Sequence, residues 1–176
     1  MTDFRPDARG AVGFLHTSHV HVATFDALSH EHMPAVHTLH RVDPKALEVA
    51  RQDGTGDRVR AAVALGPRIG VVAALTSTVE PTTRVLTEEA ADARSAISVE
   101  VNVADGAWDA FLAGNAEAYR FRIARAARAL STRCDVVVLA QASMESAAAL
   151  LTGLATPVLT SPRSAVEAVA KAVPSR

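Results

Sequence analysis

The stretch Cys134-Asp-Val-Val-Val-Leu-Ala-Gln-Ala-Ser-Met144 constrains the fold of this chain more than any other. Val136 to Ala140 form a continuous apolar run with no polar alternation. A strand reads this way when helices cover both faces of its sheet, which is the environment of a parallel strand. The run stops at Gln141-Ala142-Ser143, and helix-compatible residues follow from Met144 to Leu151. In an open α/β sheet, ligands sit beyond the carboxyl ends of the strands, at the turn into the next helix. Gln141 and Ser143 are therefore the first candidates for a binding site.

The rest of the chain repeats the strand-then-helix rhythm. Ala11 to Leu15 reads as a buried strand, Val22 to Glu31 as a helix closed by Pro34, and Ala35 to Val42 as an alternating strand. Asp43-Pro44 has the chemistry of a helix start, cap first and proline second. Gly54-Thr-Gly56 interrupts that helix, and helical spacing resumes from Asp57 to Leu65. Strands are expected at Ile69–Leu75, Ile97–Val103, Val136–Ala140 and Pro157–Leu159. Helices are expected at Thr82–Ala93, Ala107–Leu112, Ala116–Leu130 and Arg163–Val173. Alternation of this kind predicts an α/β fold, with parallel sheet flanked by helices. The strands can form one doubly wound sheet or two lobes, and the lobed arrangement is preferred. It divides the chain into an arm (1–10), a shortened first lobe (11–66), a second lobe (67–162) and a C-terminal helix (163–176) packing back on the first lobe.

Composition excludes several function classes. A net charge of −1 over 176 residues provides no footprint for nucleic acid or an anionic membrane. No apolar run approaches the ~20 residues that span a bilayer. The first residues carry both charges, unlike a secretory signal, and a cytoplasmic protein is expected. The single cysteine, Cys134, excludes an intrachain disulfide. It opens the central strand, and at ~3.3 Å per residue it stands roughly 23 Å from Gln141. It reads as a buried small hydrophobe rather than a nucleophile.

Three strand ends carry hydroxyl or amide side chains: Thr17 and Ser18, Thr76 to Thr78, and Gln141 to Ser143. Such groups, with backbone N–H at helix starts, suit a small carboxylate or phosphate, though Ser and Thr also cap helices. All seven histidines lie between His16 and His40. His16, His19 and His21 flank a strand end, which leaves a His-based metal site as an alternative, but no helical His-x-x-x-His pair supports it. His16 or His21 can instead hydrogen-bond a ligand or work in acid–base chemistry. The arginines at 120, 122, 125 and 128 are spread around their helix, as on a solvated surface.

Several segments resemble one family. Gly13-Phe-Leu-His-Thr-Ser18, His21-Val-Ala-Thr-Phe-Asp26, Gly66 to Leu75, Thr78-Val-Glu-Pro-Thr82, Asp135 to Met144 and Pro157 to Pro162 look like parts of the aspartate/glutamate/hydantoin racemase superfamily. Maleate isomerases and arylmalonate decarboxylase belong to the same superfamily. The resemblance implies two pseudo-symmetric α/β lobes with a small carboxylate or amino-acid-like ligand between them and no cofactor. It places Thr76, Ser77 and Thr78 on one carboxylate, Gln141 and Ser143 on the other side, and Thr17, Ser18 and His21 at the shortened lobe. In that family each lobe supplies a cysteine. Here Gln141 stands at the second cysteine position, and the segment that would carry the first is missing. A glutamine binds a carboxylate but does not exchange a proton with carbon. The implied function is a carboxylate-binding, racemase- or isomerase-like protein. A catalytically inactive binding or oligomerising relative is the other reading, since missing strands expose a sheet edge that a second copy of the chain can cover.

Overall fold

The computed structural model describes residues 11–16, 19–43 and 56–172, with the side chains of 56 and 57 excepted. The expected arm 1–10, the helix expected from Asp43, the candidates Thr17 and Ser18, and the last four residues of the expected C-terminal helix lie outside the described residues. The chain is an α/β protein with two parallel sheets. The first pairs β1 (Ala11–His16) with β2 (His37–Val42), joined through α1 (Val22–His32). The second has four strands in the order β4-β3-β5-β6: β3 (Arg68–Ala73), β4 (Ser98–Val103), β5 (Val136–Leu139) and β6 (Val158–Thr160). Its helices are α2 (Gly56–Leu65), α3 (Val79–Asp92), α4 (Ala107–Leu112), α5 (Ala116–Ser131), the short α6 (Glu145–Ala148) and α7 (Ser161–Ala172).

The central strand behaves as its sequence demands. Val136 to Leu139 are all fully buried, and alternate side chains enter opposite layers. Val136 and Val138 join Ile69 and Val71 in a core beneath α2 and α3, including Val59 and Leu86. Val137 and Leu139 join Val72 in the other core, with Ile123 and Leu130 of α5. Each such side chain contributes about 1.5–3 kcal/mol on leaving water. Cys134 lies buried at the amino end of this strand. Burial raises its thiol pKa, the state of a packed hydrophobe rather than a thiolate.

Local chemistry fixes the helices. Asn115 caps α5 by accepting from the Ala118 amide at 3.0 Å, and Arg128 sits in the last turn. Arg122 and Arg128 donate to the Asp105 and Leu150 carbonyls, while Arg125 is exposed, so this arginine set is surface. Helix α3 begins at Val79, so Pro81 lies inside its first turn, where a missing N–H costs nothing. The segment expected as a helix over 144–151 is helical throughout but is not one α-helix. It is a short α turn between two 3₁₀ turns, Ala142–Met144 and Ala149–Leu151, and the chain reverses at Gly153, whose φ is +93°.

The two sheets are joined by packing as well as by chain. On α7, Val166 is fully buried with Leu28 and Met33, against Phe14 and Phe25. Arg163 of α7 reaches Glu31 and His32 of α1, each at 3.2 Å. Among the described residues, no helix is long and apolar enough to cross a membrane.

Candidate functional site

Strands β3 and β5 run side by side, with Val72 opposite Leu139, and they part after Ala73 and Ala140. The Ala140 amide still reaches the Val72 carbonyl at 2.9 Å. Beyond that point Ala74 N–H has no strand carbonyl to receive it. Gln141 supplies one: its side-chain Oε1 accepts from Ala74 N at 2.7 Å. The glutamine therefore extends the ladder by one rung. That rung uses its oxygen and leaves its NH₂ group as a donor with no partner among the described residues.

The two flanking turns, Thr76–Thr78 and Ala142–Met144, are both single 3₁₀ turns, and neither N-cap residue, Leu75 or Gln141, makes a side-chain cap bond. Thr78 donates its hydroxyl to the Leu75 carbonyl at 2.7 Å, a local closure of the turn. Thr76 and Ser77 are exposed. Ser143 is held by the Tyr119 phenol at 2.9 Å. Tyr119 comes from α5 and is buried, which raises its pKa, while the bond to Ser143 opposes that shift. The phenol stays neutral and can either donate or accept. The structure thus brings Thr76–Thr78 and Gln141–Ser143 together at the ends of adjacent strands. The His19–His21 turn lies against the Ala142–Met144 turn.

Below these turns is a buried cation. Arg58 of α2 is 3% exposed and donates Nη1–H to the Leu139 carbonyl at 2.7 Å. Burial pushes its pKa down to about 10, which leaves it charged at neutral pH. Beside Leu139 in register, Thr160 is buried with its hydroxyl unbonded among the described residues. Glu145 follows the Ala142–Met144 turn. Its Oε1 lies 3.6 Å from Arg163 Nε, and its Oε2 is buried without a hydrogen bond among the described residues. Unpaired buried polar atoms are uncommon, and Thr160 and Glu145 each carry one among the described residues.

His16, the last residue of β1, is 3% exposed. Its Nε2 lies 2.8 Å from Nδ1 of His40, and Phe14 and Phe25 wall the two rings. Burial lowers the pKa of His16, and the neighbouring His40 and His21 lower it further. His21 is also lowered, by burial alone. Among the described residues, no three His, Cys, Asp or Glu side chains gather to hold a metal ion.

Sequence reasoning singled out Gln141, Ser143 and His16 but not Arg58, Tyr119, Thr160, Glu145 or His40. One signal for Arg58 was present: it precedes Ala62 by four residues and so shares the buried face of α2. No family model and no curated protein matches this chain.

Proposed function

We propose that this protein binds a small carboxylate at the carboxyl ends of β3 and β5, as a relative of the aspartate/glutamate/hydantoin racemase superfamily. Gln141 carries the reading. Its Oε1 holds the Ala74 amide, and its NH₂ group stands as a donor beside the Thr76–Thr78 turn. A carboxylate there accepts from that NH₂ group and from the exposed Thr76 and Ser77 hydroxyls. The chemistry that fits such a ligand is cofactor-independent isomerisation or racemisation.

The test is an NMR titration of the ¹⁵N-labelled chain with malonate, maleate and both enantiomers of aspartate. Binding is expected to shift the amides of Thr76–Thr78 and Gln141–Ser143, with Kd in the millimolar range or tighter. Gln141→Glu keeps an acceptor for Ala74 N–H but replaces the NH₂ donor by a negative oxygen. It is expected to fold and to lose at least tenfold in affinity. Unchanged affinity in Gln141→Glu, or no shifts in the parent chain, removes the proposal.

The binding-only reading has one specific support. The outward faces of β1 and β2 leave Leu15 and Leu39 exposed, as a surface that a second copy would cover. Sedimentation of the full chain tests it, and a monomer at all concentrations ends it.

A further inference from the structure

We infer that Asp26, His40 and His16 form a proton relay that makes Nδ1 of His16 the base of the proposed site. This rests on the carboxylate-binding reading, and it answers the question that reading leaves, which is what moves a proton where no thiol stands at the strand ends.

The geometry is that of an edge-to-edge bond between imidazoles. The two rings lie 13° from parallel, with centroids 5.1 Å apart and Nε2 of His16 2.8 Å from Nδ1 of His40. One hydrogen fits between those nitrogens, so one ring donates and the other accepts. The far side of His40 decides which. Its Nε2 is buried without a hydrogen bond and lies 3.6 Å from Oδ1 of Asp26. With a hydrogen on Nε2, His40 presents a positive edge to the carboxylate. With the hydrogen on Nδ1 instead, the Nε2 lone pair would face a carboxylate oxygen, which repels it. The first arrangement is favoured. It makes Nδ1 of His40 the acceptor, Nε2 of His16 the donor and Nδ1 of His16 a lone pair.

Position supports the same role. His16 ends β1, three residues before the His19–His21 turn, and that turn packs on Ala142–Met144. Phe14 lies 15° from parallel with His40, and Phe25 meets His16 edge-on, so neither ring is free to turn. In the step itself a C–H bond of the ligand breaks, its electron pair remains on the ligand as the enolate of the carboxylate, and the proton joins Nδ1 of His16. The imidazolium is stabilised through His40 by Asp26, and the reverse step returns the proton. No electrons change hands and no co-reactant is needed. His40 and Asp26 are positioning residues. The titratable groups around His16 are His40 from β2, Asp26 from α1 through His40, and His21 from the adjacent turn.

Long-range ¹H–¹⁵N spectra of the ligand-free full chain test the relay first. Both His16 and His40 are expected as Nε2–H tautomers near pH 8, and an Nδ1–H tautomer at His16 overturns the inference. Deuterium exchange into the methylene of malonate in D₂O tests the function. The parent chain is expected to exceed buffer, and His16→Gln to lose about 10²-fold or more, the usual worth of a general base. Asp26 is 66% exposed, so Asp26→Asn is a variant that keeps the fold. It is expected to slow exchange about tenfold and to move the acid limb of the rate profile to lower pH, since the imidazolium loses its counter-charge. Exchange in Asp26→Asn equal to the parent, with the same profile, overturns the relay. Malonate shifts at Gln141 without exchange also overturn it and leave the binding reading intact. Absence of any malonate shift removes the binding reading and, with it, the site this base would serve.

Discussion

His16 shows how one buried side chain ties stability to pH. Its folded pKa lies below the ordinary value of about 6.5, first because of burial and then because of His40 and His21. The unfolded chain therefore takes up this proton before the folded chain does. Stability from His16 is fully present above about pH 6.5 and falls as the pH drops through that value towards the lowered folded pKa. His21 acts in the same direction. Urea midpoints are expected to be lower at pH 5 than at pH 7.5, and the difference is expected to shrink in His16→Gln. Equal midpoints in the parent chain would mean the ring is not neutral by environment. The sequence showed His16 at a strand end but could not show His40 beside it. That pairing depends on the parallel register of β1 and β2, which sets Phe14 opposite His40. Arg58 was hidden for a related reason. An arginine in a mixed helix usually faces water, and only the depth of α2 against β5 reverses that.

Among elements, the join between α2 and β3 depends on a close approach. A Cβ built on Gly66 would stand 2.6 Å from Cβ of Asp135, which is fixed by its own backbone at the start of β5. The Asp135 carboxylate in turn receives the Arg68 amide at 2.9 Å and the Arg68 guanidinium at 2.5 Å, so it cannot swing aside without losing both. Gly66→Ala is expected to cost about 1–3 kcal/mol by overpacking. The measurement is the urea midpoint, and a cost under about 0.5 kcal/mol, the range of an ordinary surface change, would contradict it. Strand β5 was legible because an unbroken apolar run has few other homes. The elements after it were less so. Ala142 to Leu151 has helical composition, but its turns are too short to set their own geometry and follow their packing on α5 and the reversal at Gly153.

At the scale of the molecule, alternation of strand and helix identified an α/β protein but left the number of sheets open, because strand pairing is long-range and alternation is local. Helix α7 settles how the halves hold together. It follows β6 in the four-stranded sheet yet buries Val166 against Leu28 and Met33 of the α1 region. This patch joins the two-stranded unit to the rest, with Arg163 bridging to Glu31 at its edge. Val166→Ala removes two methyl groups from a fully buried position, and a loss of about 1–3 kcal/mol is expected. The loss should not be shared evenly. The four-stranded sheet has cores on both faces that do not include Val166, whereas Val166 shares a cluster with Phe14 of β1 and with Phe25 and Leu28 of α1. Hydrogen exchange followed by mass spectrometry is expected to show faster exchange across 11–43, with protection of β3 and β5 unchanged, the pattern of a sub-global opening. Uniform acceleration over both sheets would mean instead that they unfold as one cooperative unit, and the strand ends they bring together would then open and close as a whole.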